Sequence, residues 1–153
     1  MSRKYKFAEK DGAYFVSFAT INWIDVFTRD LYFTTITESL AYCRKEKGME
    51  LYGYCIMPSH VHLIFRSSFS DPSGLIRDFK GFTSRKLMKL IEDNPQESRR
   101  EWLIWMFERA GKKNSNIEVR QFWQQHNNPI DWKYSSARNY GNNDHTVLEI
   151  DLN

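Results

Sequence analysis

From Ala13 to Val26 the chain carries Tyr14, Phe15, Val16, Phe18, Ile21, Trp23 and Ile24, apolar on both alternating faces, which predicts a long central strand. Between Arg29 and Lys47 the spacing changes. Phe33, Ile36, Leu40 and Cys43 recur every three or four residues and Gly48 follows at a capping position, so a helix is predicted despite Thr34, Thr35 and Thr37. Glu50 to Met57 and His60 to Ser67 are two strand-like runs separated by Pro58-Ser59, a tight antiparallel pair. Asp71-Pro72 can cap and open a helix whose stripe is Leu75, Ile76, Phe79, Phe82, Leu87, Leu90 and Ile91. Ser98 and Glu101 have capping-box spacing ahead of Trp102, Leu103, Trp105, Met106 and Phe107, a short helix of core-like density that Gly111 would stop. Ile117, Val119 and Phe122 suggest a fourth strand, and Val147 to Leu152 a fifth at an edge.

This order describes an α+β domain: an antiparallel sheet of four to five strands with helices on one face, in a ferredoxin-like or RNA-recognition-like (βαββαβ) arrangement. One sheet face stays free. Such a fold hosts unrelated activities, so function has to come from a site.

Composition narrows the class. The 153 residues suit a single domain spanning 1–153, and 41% hydrophobic with 16% aromatic residues is too apolar for a disordered chain. No apolar run is long enough to span a bilayer and the basic start leads into no signal-peptide core, so a soluble cytoplasmic protein with no membrane partner is expected. Cys43 and Cys55 lack metal-site spacing and read as reduced core residues. The net charge of +3 says little by itself. Its distribution says more: Leu75 to Lys89 contains Arg77, Lys80, Arg85, Lys86 and Lys89 against Asp78 alone, a charge of +4 that leaves the rest of the chain at −1. A concentrated basic helix is an electrostatic footprint for phosphate; a solvated helix face is the plainer alternative.

His60 and His62 lie two apart on a predicted strand, so both side chains leave one face with roots about 6.6 Å apart, while Val61 and Leu63 point the other way. Two imidazoles so placed can grip one cation and leave positions open for an oxygen ligand or a phosphate. Taken alone, the pair reads more readily as two histidines on a solvated strand face.

The longer string Gly53-Tyr54-Cys55-Ile56-Met57-Pro58-Ser59-His60-Val61-His62-Leu63-Ile64-Phe65 resembles the histidine-hydrophobic-histidine motif of the HUH single-strand transposases, in particular the tyrosine transposases of small insertion sequences (the insertion-sequence-200-like group) and their REP-associated relatives. The likeness continues through Leu75 to Ser84 and Trp132 to Tyr140, so it covers most of the chain. It implies an enzyme that binds single-stranded or hairpin DNA, with His60, His62 and a third polar side chain holding Mg²⁺ or Mn²⁺ against the scissile phosphate. The basic residues Arg77, Lys80, Arg85, Lys86 and Lys89 are then read as DNA contacts, and a homodimer is an open option. The family's nucleophile is a tyrosine on a later helix, which forms a covalent 5′-phosphotyrosine link and frees a 3′-hydroxyl.

One departure matters. The family carries that nucleophile as Tyr-x-His-Asn-Asn-Pro, and here the order is Phe122-Trp123-Gln124-Gln125-His126-Asn127-Asn128-Pro129. If His126 to Pro129 is the motif, Gln124 stands where tyrosine is expected; if Asn128 to Trp132 belongs to the later segment, the nucleophile helix is missing. Either way the catalytic residue is unknown, and a catalytically inactive hairpin-binding module is the alternative. Tyr134 and Tyr140 read as packing residues. Gln124, Gln125 and Asn127 remain open choices for the third ligand.

Overall fold

The computed structural model describes residue 7 and residues 9–114 and 119–124. Its elements are β1 (Ala13–Ala19), a 3-10 turn (Ile21–Trp23), α1 (Asp30–Glu46), β2 (Met49–Met57), β3 (His60–Ser67), α2 (Pro72–Asp93) and α3 (Arg100–Lys112). The strands form an antiparallel sheet in the order β1-β3-β2, three strands among the described residues where four to five were expected. The expected edge strand at Val147 to Leu152 lies outside them, as does Ile117.

β3 is central and sets the geometry. Its Val61, Leu63 and Phe65 are buried in one core with Val16 and Phe18 of β1 and with Tyr32, Ile36, Leu40, Leu75, Ile76 and Phe79 of α1 and α2. The period of two along the strand therefore puts the helices on one face and His60 and His62 on the other. Pro58-Ser59 turns the hairpin, Met57 pairs with His60, and a bulge at Tyr52 interrupts the β2 register.

The first strand stops at Ala19, seven residues short of Val26. Asn22 and Trp23 take left-handed backbone (φ 52° and 54°), and Thr20 Oγ1 lies 2.6 Å from the Ile24 carbonyl, which folds the chain back on itself. Ile24, Val26 and Phe27 still enter the core. Burial needs apolar contact and satisfied polar groups, and Phe27 N–H finds the Pro58 carbonyl (2.8 Å) outside any ladder.

α1 keeps its threonines because Thr35 and Ser39 donate to carbonyls one turn back, and Gly48 (φ 68°) closes it in the left-handed conformation. Asp71 caps α2 by accepting from Gly74 N–H (2.9 Å), with Pro72 in the first turn. Phe82 leaves the expected stripe and faces out. The Ser98 capping box does not form: the Glu97 carboxylate accepts from Arg99 N–H (3.2 Å) just ahead of α3, and no side chain caps the helix. Nor does Gly111 stop it. The helix continues to Lys112, and a Cβ at Gly111 would sit 2.6 Å from the Val119 carbonyl, so the glycine permits a close chain return. The core of α3 is Leu103 and Phe107, whereas Trp102 and Trp105 are exposed. Likewise Cys43 is buried but Cys55, on edge strand β2, is exposed; both are free thiols.

The predicted fourth strand is reduced to a single bridge between Thr20 and Trp123, with Ile21 N–H bonded to Phe122 O (2.7 Å) and Gln124 N–H to Ala19 O (2.8 Å). Residues 122–124 thus meet the chain at the C-terminal end of β1, from Ala19 to Ile21, while Gln121 N–H bonds the Phe107 carbonyl of α3. No helix among the described residues is long and apolar enough to cross a membrane.

Candidate metal and nucleic-acid site

Ala19 and Met57 flank His60 across the sheet, and Ser17 and Cys55 flank His62. The two imidazole rings meet with centroids 4.7 Å apart at 77°. Phe15 stacks on His62 (5.6 Å), Trp23 and His60 meet edge to face (5.4 Å), and Ser59 Oγ lies 3.1 Å from His60 Nδ1. The expectation of a solvated strand face is corrected here: His60 is 1% exposed and His62 5%. Aromatic neighbours, small strand partners and the turn hydroxyl enclose rings that strand periodicity alone would leave open.

Burial governs their charge. Desolvation pulls the pKa of His60 down to about 4, opposed by Asp25, and that of His62 to about 4, with His60 adding to the depression. Both rings are neutral at pH 7, the form in which imidazole offers a lone pair. Both ring nitrogens of His62 are buried without a hydrogen-bond partner among the described residues. Such an atom costs roughly 1–3 kcal/mol unless something else satisfies it. Two neutral imidazoles on one strand face are donors of the type that fills two positions of a divalent ion, so the residue types present fit that group as a half-site. No cluster of three histidine, cysteine, aspartate or glutamate side chains exists among the described residues.

Of the carboxamides considered as a third ligand, Gln124 sits on the β1 edge beside Ala19, while Gln125 and Asn127 lie outside the described residues. Tyr134, Tyr140 and His126 do too.

The basic helix is divided by the fold. Arg77 is beside Asp78 (3.3 Å), Lys86 reaches Glu38 (3.4 Å) and Lys89 pairs with Asp93 (3.1 Å). Lys80 turns inward, over the Phe18 ring (5.5 Å) and onto the Gln124 carbonyl (3.2 Å), and desolvation lowers its pKa to about 8. Arg85 is exposed with no carboxylate in ion-pair reach among the described residues. The five charges therefore make no single patch, and α2 packs on the face of the sheet opposite the imidazoles. Helical periodicity spreads a basic run around the axis, which a count along the sequence conceals. Sequence reasoning missed Phe15, Trp23 and Ser59 as walls of the histidine site; only Ser59, adjoining the motif, carried a signal.

Residues 12–107 match the family model described as IS200-like transposase. Among solved structures, the chain is similar to a REP-associated tyrosine transposase bound to a REP hairpin, at 16% identity over 100% of both chains with a TM-score of 0.50. It is also similar to a protein from Deinococcus radiodurans R1 provisionally assigned as a transposase, at 19% identity over 72% of this chain and 95% of that one, with a TM-score of 0.43. No curated protein matches the chain.

Proposed function

Since the chain belongs to the IS200-like transposase family, we propose that it binds hairpin DNA with a single-stranded extension and holds a scissile phosphate over His60 and His62. The observation that carries this reading is the pair of neutral rings 4.7 Å apart, with both nitrogens of His62 lacking a partner among the described residues. The fold-level reading that goes with it is a ferredoxin-like sheet with a last strand beside β1, which the single bridge between Thr20 and Trp123 supports.

His60 and His62 are the residues that would hold Mg²⁺ or Mn²⁺, whose chemistry is to polarise a phosphate oxygen and stabilise charge on it. Ser59 acts as a positioning residue. Its hydroxyl lies 3.1 Å from His60 Nδ1, and in the tautomer where Nδ1–H donates to that hydroxyl, Nε2 carries the lone pair. Phe15 and Trp23 hold the rings and exclude water, which strengthens every interaction with a phosphate. On the opposite face, exposed Arg85 is the α2 cation that can meet a stem phosphate directly, Arg77, Lys86 and Lys89 would do so only by leaving Asp78, Glu38 and Asp93, and Lys80 ties α2 to the β1 edge.

Cleavage in this family style is transesterification: a tyrosine oxygen bonds to phosphorus, the bond to the 3′-oxygen breaks, and the leaving alkoxide takes a proton to become a 3′-hydroxyl. Gln124, held by its backbone at the β1 edge, cannot replace the phenol, since a carboxamide is not a nucleophile of that kind. This favours a second reading, an inactive hairpin-binding module. Incubating the protein with labelled hairpin DNA and Mn²⁺ separates the two: a covalent adduct resistant to denaturant supports the transesterase, and tight metal-independent binding without adduct supports the module.

A further inference from the structure

A groove of about 780 Å³ runs between α1 and α2, within the range of about 300–1,000 Å³ that ligand clefts occupy. Its lining combines the buried side chains of Cys43 and Phe79 with the exposed rings of Tyr42 (57%) and Phe82 (49%). Gly81 lines it too, in the interior of α2, where glycine weakens a helix. The other helical glycines have a reason within the chain: a Cβ at Gly74 would collide with the capping carboxylate of Asp71, and one at Gly111 with the Val119 carbonyl. A Cβ at Gly81 would meet only Nη1 of Arg85, at 3.5 Å, an ordinary contact. Packing among the described residues does not require this glycine. What it keeps is open space in the groove.

The charge around that space is unbalanced. Lys47, Arg77, Arg85 and Lys86 line the groove against Glu38 and Asp78, a surplus of +2 among the described residues. Both carboxylates are already engaged, Glu38 by Lys86 (3.4 Å) and Asp78 by Arg77 (3.3 Å) and Lys47 (3.8 Å). Arg85 has no carboxylate in ion-pair reach among the described residues, and Lys86 lies over the Phe82 ring (5.9 Å), so cationic and aromatic surface are contiguous. Exposed rings bordered by unmatched cations are complementary to an apolar surface that carries negative charge at its margin. A DNA stem supplies the charge but no apolar face for Tyr42 and Phe82, whereas an acidic amphipathic helix supplies both.

We propose that the groove between α1 and α2 docks an acidic amphipathic helix of a protein partner, with its apolar side chains against Tyr42, Phe82 and Gly81 and a carboxylate on Arg85. This surface belongs to the helical layer, across the sheet from His60 and His62, and makes no use of the metal half-site.

The test uses the full chain, without DNA, and fluorescence anisotropy of a labelled synthetic helix of about four turns, with Leu at i, i+4 and i+7 and Glu on its flanks. Two control peptides carry Lys for Glu or Ala for Leu. Wild type is expected to bind the acidic peptide saturably and each control at least about tenfold more weakly. Gly81→Leu, which fills the groove, should weaken the acidic peptide about tenfold or more, and Arg85→Glu by a similar factor. The exposed Arg85→Glu carries the test if the leucine variant fails to give a wild-type melt. Gly81→Ala should raise the thermal midpoint by about 2 °C, because the helix gains propensity and the chain loses no contact. A lowered midpoint would show that the chain's own packing needs the glycine and would overturn the groove. So would equal binding of the acidic and lysine peptides, or acidic-peptide binding that Gly81→Leu leaves unchanged. Weaker hairpin DNA binding by Gly81→Leu, with no binding of the acidic peptide to wild type, would assign the groove to a DNA stem and overturn the protein partner.

Discussion

The two faces of β3 are both buried, yet they differ in what burial does. Val61, Leu63 and Phe65 pack against α1 and α2 as carbon on carbon, where burial is the stabilising contribution. One residue out of register, His60 and His62 are nearly as enclosed but carry nitrogens that burial penalises, and His62 has neither nitrogen satisfied among the described residues. Exposure alone cannot separate a core from a site. Hydrogen-bond satisfaction can, because an apolar side chain has nothing left to pair and an imidazole does.

That contrast can be broken first on its apolar side. Leu63→Ala should cost about 4 kcal/mol of unfolding free energy in a urea titration, the lost transfer term plus a cavity beneath the helices. A loss below about 1 kcal/mol would mean that the helical face is not the close-packed one.

Acid sharpens the polar side. The folded-state pKa of each histidine is about 4 against 6.5 when free, so between those values the unfolded chain binds protons that the folded chain refuses. Stability from the neutral rings is present above pH 6.5 and is lost as pH falls through 4, at about 3 kcal/mol for one ring. His60→Gln/His62→Gln should flatten the pH dependence of the urea midpoint over that window. An unchanged slope would show that other groups control it.

The smallest expected effect is the most diagnostic. His62→Leu keeps a side chain that fills space beside Phe15 and removes two buried nitrogens, so it should raise unfolding free energy by about 1 kcal/mol while abolishing Mn²⁺ binding measured by calorimetry. A residue that destabilises the apo fold and is needed for metal binding belongs to a site. Should the leucine variant be less stable than wild type, the ring is a packing element instead.

Much of the fold is legible along the chain because its signals are local. The Pro58-Ser59 turn, the Asp71 cap and the Gly48 closure each depend on residues a few positions apart, and the elements they bound fall within a few residues of expectation. The misses share the opposite character. Residues 20–26 look like strand because their apolar residues do reach the core, but the Thr20 hydroxyl and the left-handed Asn22 and Trp23 turn the backbone before a ladder can form. Gly111 resembles a helix stop until Val119 returns against it from outside the helix.

The candidate site divides the same way. Alternation within one strand was enough to put His60 and His62 on the same side, since the period of two is a property of extended backbone and needs no partner. Their enclosure by Phe15 and Trp23, their neutrality, and the packing of α2 on the far face of the sheet were decided by contacts between segments distant in sequence. Local geometry is written in neighbouring residues. Desolvation and charge pairing depend on what the folded chain brings alongside, and only the tertiary structure supplies that.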